Sequence, residues 1–526
     1  MSHRSGDGVG GTEEKRLVRP SGRFSTRAKQ SLSAFAHSKS GLIGVAIIII
    51  FGMMALFAPV IDSNNPITGT NLAAPYAVPA WATIFPQYSH YPPNLQELTD
   101  STFSSPGALS AWSFKEGPGF SYGWQAFPVT GQRALSYIIA NKGEGSLSVN
   151  FTGTTASTFN LSQTFSYTKY DPPNRFAFST FVYPSIAKNV TYTVTAYLKT
   201  PAGNVYTVGV AQSSPLYSGT WNQIYGDSLS NLLSYNTVAS LQGLSKTVFD
   251  EHGNYTLTLS IAVSPTEKGT DLRLHVGDMS FFIFGSAYGV LGTDNQGRDI
   301  WSQFVHGARV SFLVGILAAL VTVAVGVVVG LAAATYGGLV DQLLMRVTDI
   351  FLVLPGIPLL IVLISVLDRT PIFANNPGDY IWLVIFVIAI LSWPTVARII
   401  NSQVLSLKER PYVEAARALG AKKSYIMYRH ILPNVLGLIY ANLALTVPTA
   451  ILTEAALDFL GFGSGLITSW GTITSYASQN CAASAAYSYC WWWFAPPGVA
   501  IMLLSLSFIL LGNTLESIFN PKLRRR

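Results

Sequence analysis

Charge is scarce in this chain of 526 residues: Asp, Glu, Lys and Arg together make up only 11%. Ordinary soluble domains carry about 25%, so the composition argues against a soluble globular protein throughout. Cysteine is scarcer still, with Cys481 and Cys490 the whole supply. Without a Cys/His ligand spacing, no metal site is expected. No G-x4-G-K-[ST] stretch occurs, so the chain lacks that phosphate cradle for ATP. No Ser/His/Asp set or carboxylate pair falls in one soluble segment at a spacing suited to catalysis. The expectation is therefore a protein that is not an enzyme and holds no cofactor of its own. The formal charge of +7 does not imply nucleic acid, because the basic residues cluster in short segments beside apolar ones. Orientation in a membrane uses charge in that way.

What the chain has is apolar surface in blocks. Hydrophobic residues make up 49% and the mean hydropathy is +0.34. Residues 1–41 read as a disordered, basic cytoplasmic tail. Leu42–Ile61 reads as an uncleaved first span, since no clear A-x-A site follows it. Further spans are expected at about 310–335, 342–367, 381–404, 435–459 and 495–518, making six. Lys522, Arg524, Arg525 and Arg526 hold the C-terminus on the cytoplasmic side with the N-terminus.

Between the first two spans the texture changes. Residues 62–287 contain no stretch able to cross a bilayer and are rich in aromatic, Ser, Thr, Asn and Gly residues. Period-2 alternation in 176–183, 192–199, 205–210, 255–263 and 272–284 predicts short antiparallel strands. Several at this spacing suggest an extracytoplasmic all-β sandwich, loosely similar to jelly-roll carbohydrate-binding modules. Trp112, Trp124 or Trp221 could stack on sugar rings there, although such aromatics are more often core. Four sequons, at Asn150, Asn160, Asn189 and Asn254, are compatible with glycosylation outside the cell.

Chemistry-bearing residues concentrate in the second half. Residues 410–433 read as helix, turn, helix. Pro411 suits a first helical turn, Gly420 a position without Cβ, and Pro433 the end of the second helix. Arg410, Arg417, Lys422, Lys423 and Arg429 make this loop basic and cytoplasmic. Within the spans, Arg346 and Asp349 lie three apart on one face and pair locally or with another helix. Pro355 and Pro358 interrupt that span. Glu454 and Asp458, one turn apart, stand at membrane depth; structural support, lining of a path and proton relay all remain open. The stretch 291–311 reads as a polar turn followed by an amphipathic helix lying in the interface. Cys481 and Cys490 enclose a short outer loop, where a disulfide is expected to stabilise by about 2–3 kcal/mol.

These motifs resemble the permease subunits of ABC importers, in the dipeptide/oligopeptide (DppC/OppC-like) class. The resemblance covers residues 42–66 and 289–526. Glu414, Ala415, Ala416, Arg417, Gly420, Leu432 and Pro433 fall in the EAA loop, through which that family couples to its ATPase. His430 stands where the general motif has Ile, but RHILPN is the form of this class. Gly292, Thr293, Asp294, Gly297, Arg298, Asp299 and Arg309 match the class signature at the outer helix. TEAALDFLGFG is similar to EAALSFLGLG, with Asp458 in place of Ser. The tail matches at Gly512, Leu515, Pro521, Leu523 and Arg524 and departs at Asn513, Glu516 and Asn520. The resemblance implies a type I importer-like bundle of six transmembrane helices. It also implies a second permease, two ATPase subunits using ATP and Mg, an external solute-binding protein and alternating access. Peptide is the class default and oligosaccharide the alternative. A membrane-anchored carbohydrate-binding receptor is the reading from a different class.

Overall fold

The computed structural model describes residues 35–130, 144–212, 218–228, 245–367, 370, 378–463, 467–482 and 490–519. The basic tail up to residue 34 and the terminal Asn520, Pro521, Lys522, Leu523, Arg524, Arg525 and Arg526 lie outside them.

The inserted region is a two-layer antiparallel sandwich. Its strands are β1 (Leu95–Gln96), β2 (Ser113–Glu116), β3 (Phe120–Gln125), β4 (Ser146–Phe151), β5 (Ser157–Tyr167), β6 (Arg175–Lys188), β7 (Val190–Lys199), β8 (Val205–Gln212), β9 (Asn222–Asp227), β10 (Gly253–Pro265) and β11 (Asp271–Phe284). One sheet runs β3-β4-β11-β6-β9, with β1 also on β11; the other runs β2-β5-β10-β7-β8. All five alternating runs are strands. The alternation works as expected: Tyr255, Leu257, Leu259, Ile261 and Val263 point inward along β10 to meet Leu272, Leu274 and Val276 of β11. Trp112 is core against Phe103, and Trp124 donates Nε1–H to the Phe103 carbonyl at 2.8 Å. Only Trp221 of the three tryptophans stands over a sheet face, packed with Phe127 and Tyr183.

The helices are α1 (Lys39–Leu56), α2 (Ile300–Tyr336), α3 (Gly338–Val353), α4 (Gly356–Leu367), α5 (Asp379–Lys408), α6 (Pro411–Ala418), α7 (Lys423–Phe462), α8 (Trp470–Ala482) and α9 (Trp491–Phe519). Five of them (α1, α2, α5, α7 and α9) are long and apolar enough to cross a membrane. The expected span at 342–367 is instead a pair, α3 and α4, bent by 92°. Leu354 between them is extended, with ψ 139°. Pro355 pushes its predecessor out of the helical region, which makes the break local and sharp.

Two expectations about helix ends are corrected. The amphipathic start of α2 is not a separate helix: α2 is continuous over 37 residues. Ile300 and Val305 are fully buried, Ile300 in one apolar cluster with Val78 and Ala82 of the chain ahead of the sandwich. Pro433 does not close a helix either. A wide turn at Met427–Ile431 lets the Leu432 N–H reach the Met427 carbonyl, five residues back. Such a π-bulge re-spaces the backbone ahead of a residue that cannot donate, and α7 runs on as one helix to Phe462.

The sandwich is joined to the helices by a stem, not by loose linkers. Residues 71–80 run alongside 285–297, the two segments that lead into and out of the sandwich. Asn71, Leu72, Ala74, Tyr76, Val78 and Ala80 donate their N–H groups to carbonyls of Gln296, Gly297, Gly285, Asp294, Ser286 and Gly289 at 2.9–3.1 Å. Asn94 closes the base, accepting from Gly285 N–H and donating to the Leu72 carbonyl, each at 2.7 Å.

Candidate functional site: coupling hairpin, carboxyl pair and outer knot

The hairpin is built on α6 and the start of α7. Arg410 is extended ahead of Pro411, so the helix starts where proline is pre-organised. It ends by a turn at Gly420, φ +82°, with Ala421 N–H on the Ala416 carbonyl. Val413, Ile426, Met427 and Ile431 are buried beneath it against Val404 and Val435. That apolar underside fixes the hairpin to the bundle and turns the other face outward. Glu414, Ala415, Arg417, Gly420 and Pro433 are exposed, while Ala416 and Leu432 are half-buried. The sequence motif missed the apolar part of this face. Leu419 is 88% exposed and Tyr428 72%, and Tyr425, Tyr428, Lys422 and Arg429 line a shallow concavity. Large apolar side chains held open beside cations suit a protein partner.

At the far end of α7, Glu454 and Asp458 are both buried, 3% and 4% exposed. They stand one helical turn apart on α7, and each is held by a serine from another segment. Ser311 of α2 donates to Glu454 Oε2 at 3.4 Å and accepts the Trp470 N–H at 3.2 Å. Ser469 donates to Asp458 Oδ2 and its Oγ accepts the Thr472 N–H at 3.1 Å. The pair thus ties α7 to α2 and to the start of α8. A small cavity beside it is lined by Val310, Tyr380, Ile381 and Ile467. Ser311 and Ser469 carried no signal in the sequence, because their partners lie 143 and 11 residues away along the chain.

Arg346 and Asp349 do not pair. For Asp349 the interhelical alternative holds: Arg398 of α5 bonds it at 2.6 Å, an exposed bridge of small energetic weight. Asn401 of α5 donates to Asp341 at 2.9 Å, and Lys408 donates to the Ala334 carbonyl at 2.6 Å.

The 292–299 signature forms a knot under the stem. Asp294 is fully buried. Its Oδ1 accepts the N–H groups of Gln296 and Arg298, and its Oδ2 accepts Arg298 Nε at 2.6 Å and Gln303 Nε2 at 2.9 Å. Thr293 donates to the Ala74 carbonyl and accepts the Ala77 N–H. Gly292 and Gly297 have φ +71° and +68°, and a Cβ on either would meet the stem backbone. Asp299 caps α2, accepting the Trp301 N–H at 3.0 Å. Burial, with the Asp62 charge in support, pushes its carboxyl up to about 6. Arg309 lies exposed further along α2.

Cys481 and Cys490 are joined in a disulfide. Among the sequons, Asn254 is exposed, whereas Asn150, Asn160 and Asn189 are half-buried. No group of three or more His, Cys, Asp or Glu able to hold a metal ion occurs among the described residues.

Residues 326–525 match the family described as binding-protein-dependent transport system inner membrane component. The oligopeptide transport system permease protein OppC of Bacillus subtilis is 37% identical over 235 residues, which is 44% of this chain and 72% of that protein. The dipeptide transport system permease protein DppC of the same organism is 36% identical over 235 residues, covering 44% and 69%. Among solved structures, a carbohydrate-binding module in complex with β-1,4-galactotriose matches 36% of this chain and 99% of its own, at 15% identity and a TM-score of 0.22.

Proposed function

Because this chain belongs to the family of binding-protein-dependent inner-membrane transport components, in the dipeptide/oligopeptide class of ABC-importer permeases, we propose that it carries di- and oligopeptides into the cell by alternating access. The α3–α4 pair counts as one bent span, giving six, with both termini cytoplasmic and the sandwich outside. A second permease completes the pathway. Two separate ATPase subunits bind ATP and Mg and supply the work, and an external binding protein delivers the solute. This chain catalyses nothing itself.

The observation that carries the reading is that the hairpin and the carboxyl pair share one helix. From Lys423 to Asp458 α7 extends about 50 Å at ~1.5 Å per residue. A continuous helix pushed at its hairpin end carries that motion toward Glu454 and Asp458. Those side chains then either drag α2 and α8 along or release Ser311 and Ser469. Binding of ATP would draw the ATPase subunits together and push the hairpin, and the outer end would respond. Peptide stands ahead of oligosaccharide because the curated relatives are peptide permeases, while Trp112 is buried in the sandwich core and the Trp124 indole N–H is engaged by the Phe103 carbonyl.

The docking half of the reading is tested by replacing the open apolar face. The double variant Leu419→Glu, Tyr428→Glu is expected to lose co-purification with the ATPase subunits while the chain itself stays monodisperse. Unchanged association would sink the assignment of this face.

A further inference from the structure

One apolar patch lies outside everything the hairpin and the pair explain. The stem turn Ala80–Ile84 exposes Trp81 at 43%, Ile84 at 81% and Phe85 at 51%. It is rigidly held: Trp81 donates Nε1–H to the Val290 carbonyl at 2.8 Å, and Phe85 N–H closes on the Ala82 carbonyl. Residues 63–96 contain no Asp, Glu, Lys or Arg, although this segment joins a membrane helix to a water-facing sandwich.

Its height relative to the bilayer follows from helix packing. Gly41 of α1 lies against Thr514 of α9, and Gly44 against the Ser507 carbonyl. The apolar run of α1 starts beside Gly41, so the Gly41–Thr514 level is placed at one membrane face, with Gly44 and Ser507 deeper. About 20 residues, ~30 Å, separate the two faces. Counted back along α9 from Thr514, that distance reaches Phe494, and Trp491 stands one turn above. The Trp81 ring packs edge-on against Trp491, with centroids 5.7 Å apart. Phe494 and Val499 continue the exposed apolar surface down α9. Aromatic rings with one polar tip settle at the headgroup level, and the patch is continuous with the lipid-facing side of the span.

We propose that the Trp81–Phe85 turn is a membrane foot: it inserts into the outer lipid interface beside α9 and sets the sandwich at a fixed height above the bilayer. The occupant is lipid, not a second permease and not the binding protein.

Ile84→Cys, spin-labelled in the assembled transporter in phosphatidylcholine/phosphatidylglycerol nanodiscs, reads the environment directly. The two cysteines of this chain are paired, and the partner subunits are supplied in cysteine-free form. The label is expected to collide more with oxygen than with a water-soluble nickel chelate, as a label from Met502→Cys on α9 does. A label from Val205→Cys on the sandwich edge should show the reverse. High nickel access at 84 would mean the turn is in water, and low access to both probes would mean another protein chain covers it; either overturns the proposal. Brominated lipid provides a reading that does not depend on labelling. Quenching is expected to be weaker in Trp81→Phe than in the wild type, and equal quenching would also overturn it.

Discussion

Gly292 and Ala77 are in backbone contact: any Cβ on Gly292 would collide with the Ala77 carbonyl oxygen. The family signature here is thus a docking surface for the stem. Gly292→Ala should cost about 2–4 kcal/mol, from overpacking of ~1–3 kcal/mol and a positive φ worth ~1 kcal/mol. Thermal unfolding in nanodiscs should show the loss, together with protease cleavage in the stem. A variant that melts with the wild type would show that the stem is not fixed there.

Arg175 and Asp227 form a buried bridge that also reaches the stem. Arg175 donates to Asp227 and to Asn71 Oδ1, and its guanidinium lies 4.1 Å from the Phe284 ring centroid. Removing one partner of such a pair leaves a buried charge and costs about 3–5 kcal/mol. Asp227→Ala should therefore destabilise strongly. The double variant Arg175→Met, Asp227→Leu should recover much of the loss, and chemical denaturation of the purified chain would reveal it.

Asp299 predicts a pH dependence. Its carboxyl is raised from 3.8 to about 6 in the folded protein, first by burial and then by the Asp62 charge. A raised carboxyl contributes stability that is complete below about 4 and is lost as pH rises through about 6. Asp299→Ser keeps a capping oxygen without a charge. It should flatten the stability profile between pH 4 and 7, a change on the order of 2–3 kcal/mol, and a parallel profile would contradict the assignment.

The hairpin predicts a split between two substitutions. Gly420 has φ +82° and nothing within 4 Å of the place a Cβ would occupy, so backbone conformation and not crowding restricts it. Asn tolerates that region and Val does not. Gly420→Asn should couple nearly as the wild type does, while Gly420→Val should uncouple. Equal behaviour of the two in ATPase assays would remove the conformational argument.

Much of this architecture is legible in the sequence because its signals are local. The period-2 runs give β6, β7, β8, β10 and β11, and apolar length gives α1, α2, α5, α7 and α9. Pro411 and Gly420 mark the hairpin as turn chemistry alone would. What the sequence conceals is long-range. Nothing local tells residues 71–80 that they pair with 285–297, more than 200 positions away. The amphipathic start of α2 resembles an interfacial helix until the stem that buries Ile300 is in place. Arg346 sits closer in sequence to Asp349 than Arg398 does, yet packing of α3 on α5 selects Arg398. Pro433 reads as a stop unless the wide turn before it is known.

The central claim is that force applied at the hairpin serves solute transport, and ATPase activity tests it most directly. The chain would be purified with its partner subunits in nanodiscs, and hydrolysis measured with the binding protein and with peptides or oligosaccharides. The account predicts stimulation by peptides, lost in Gly420→Val and kept in Gly420→Asn. Hydrolysis indifferent to every solute, with sugar bound by the chain in the absence of any ATPase subunit, would contradict it and identify an anchored receptor instead.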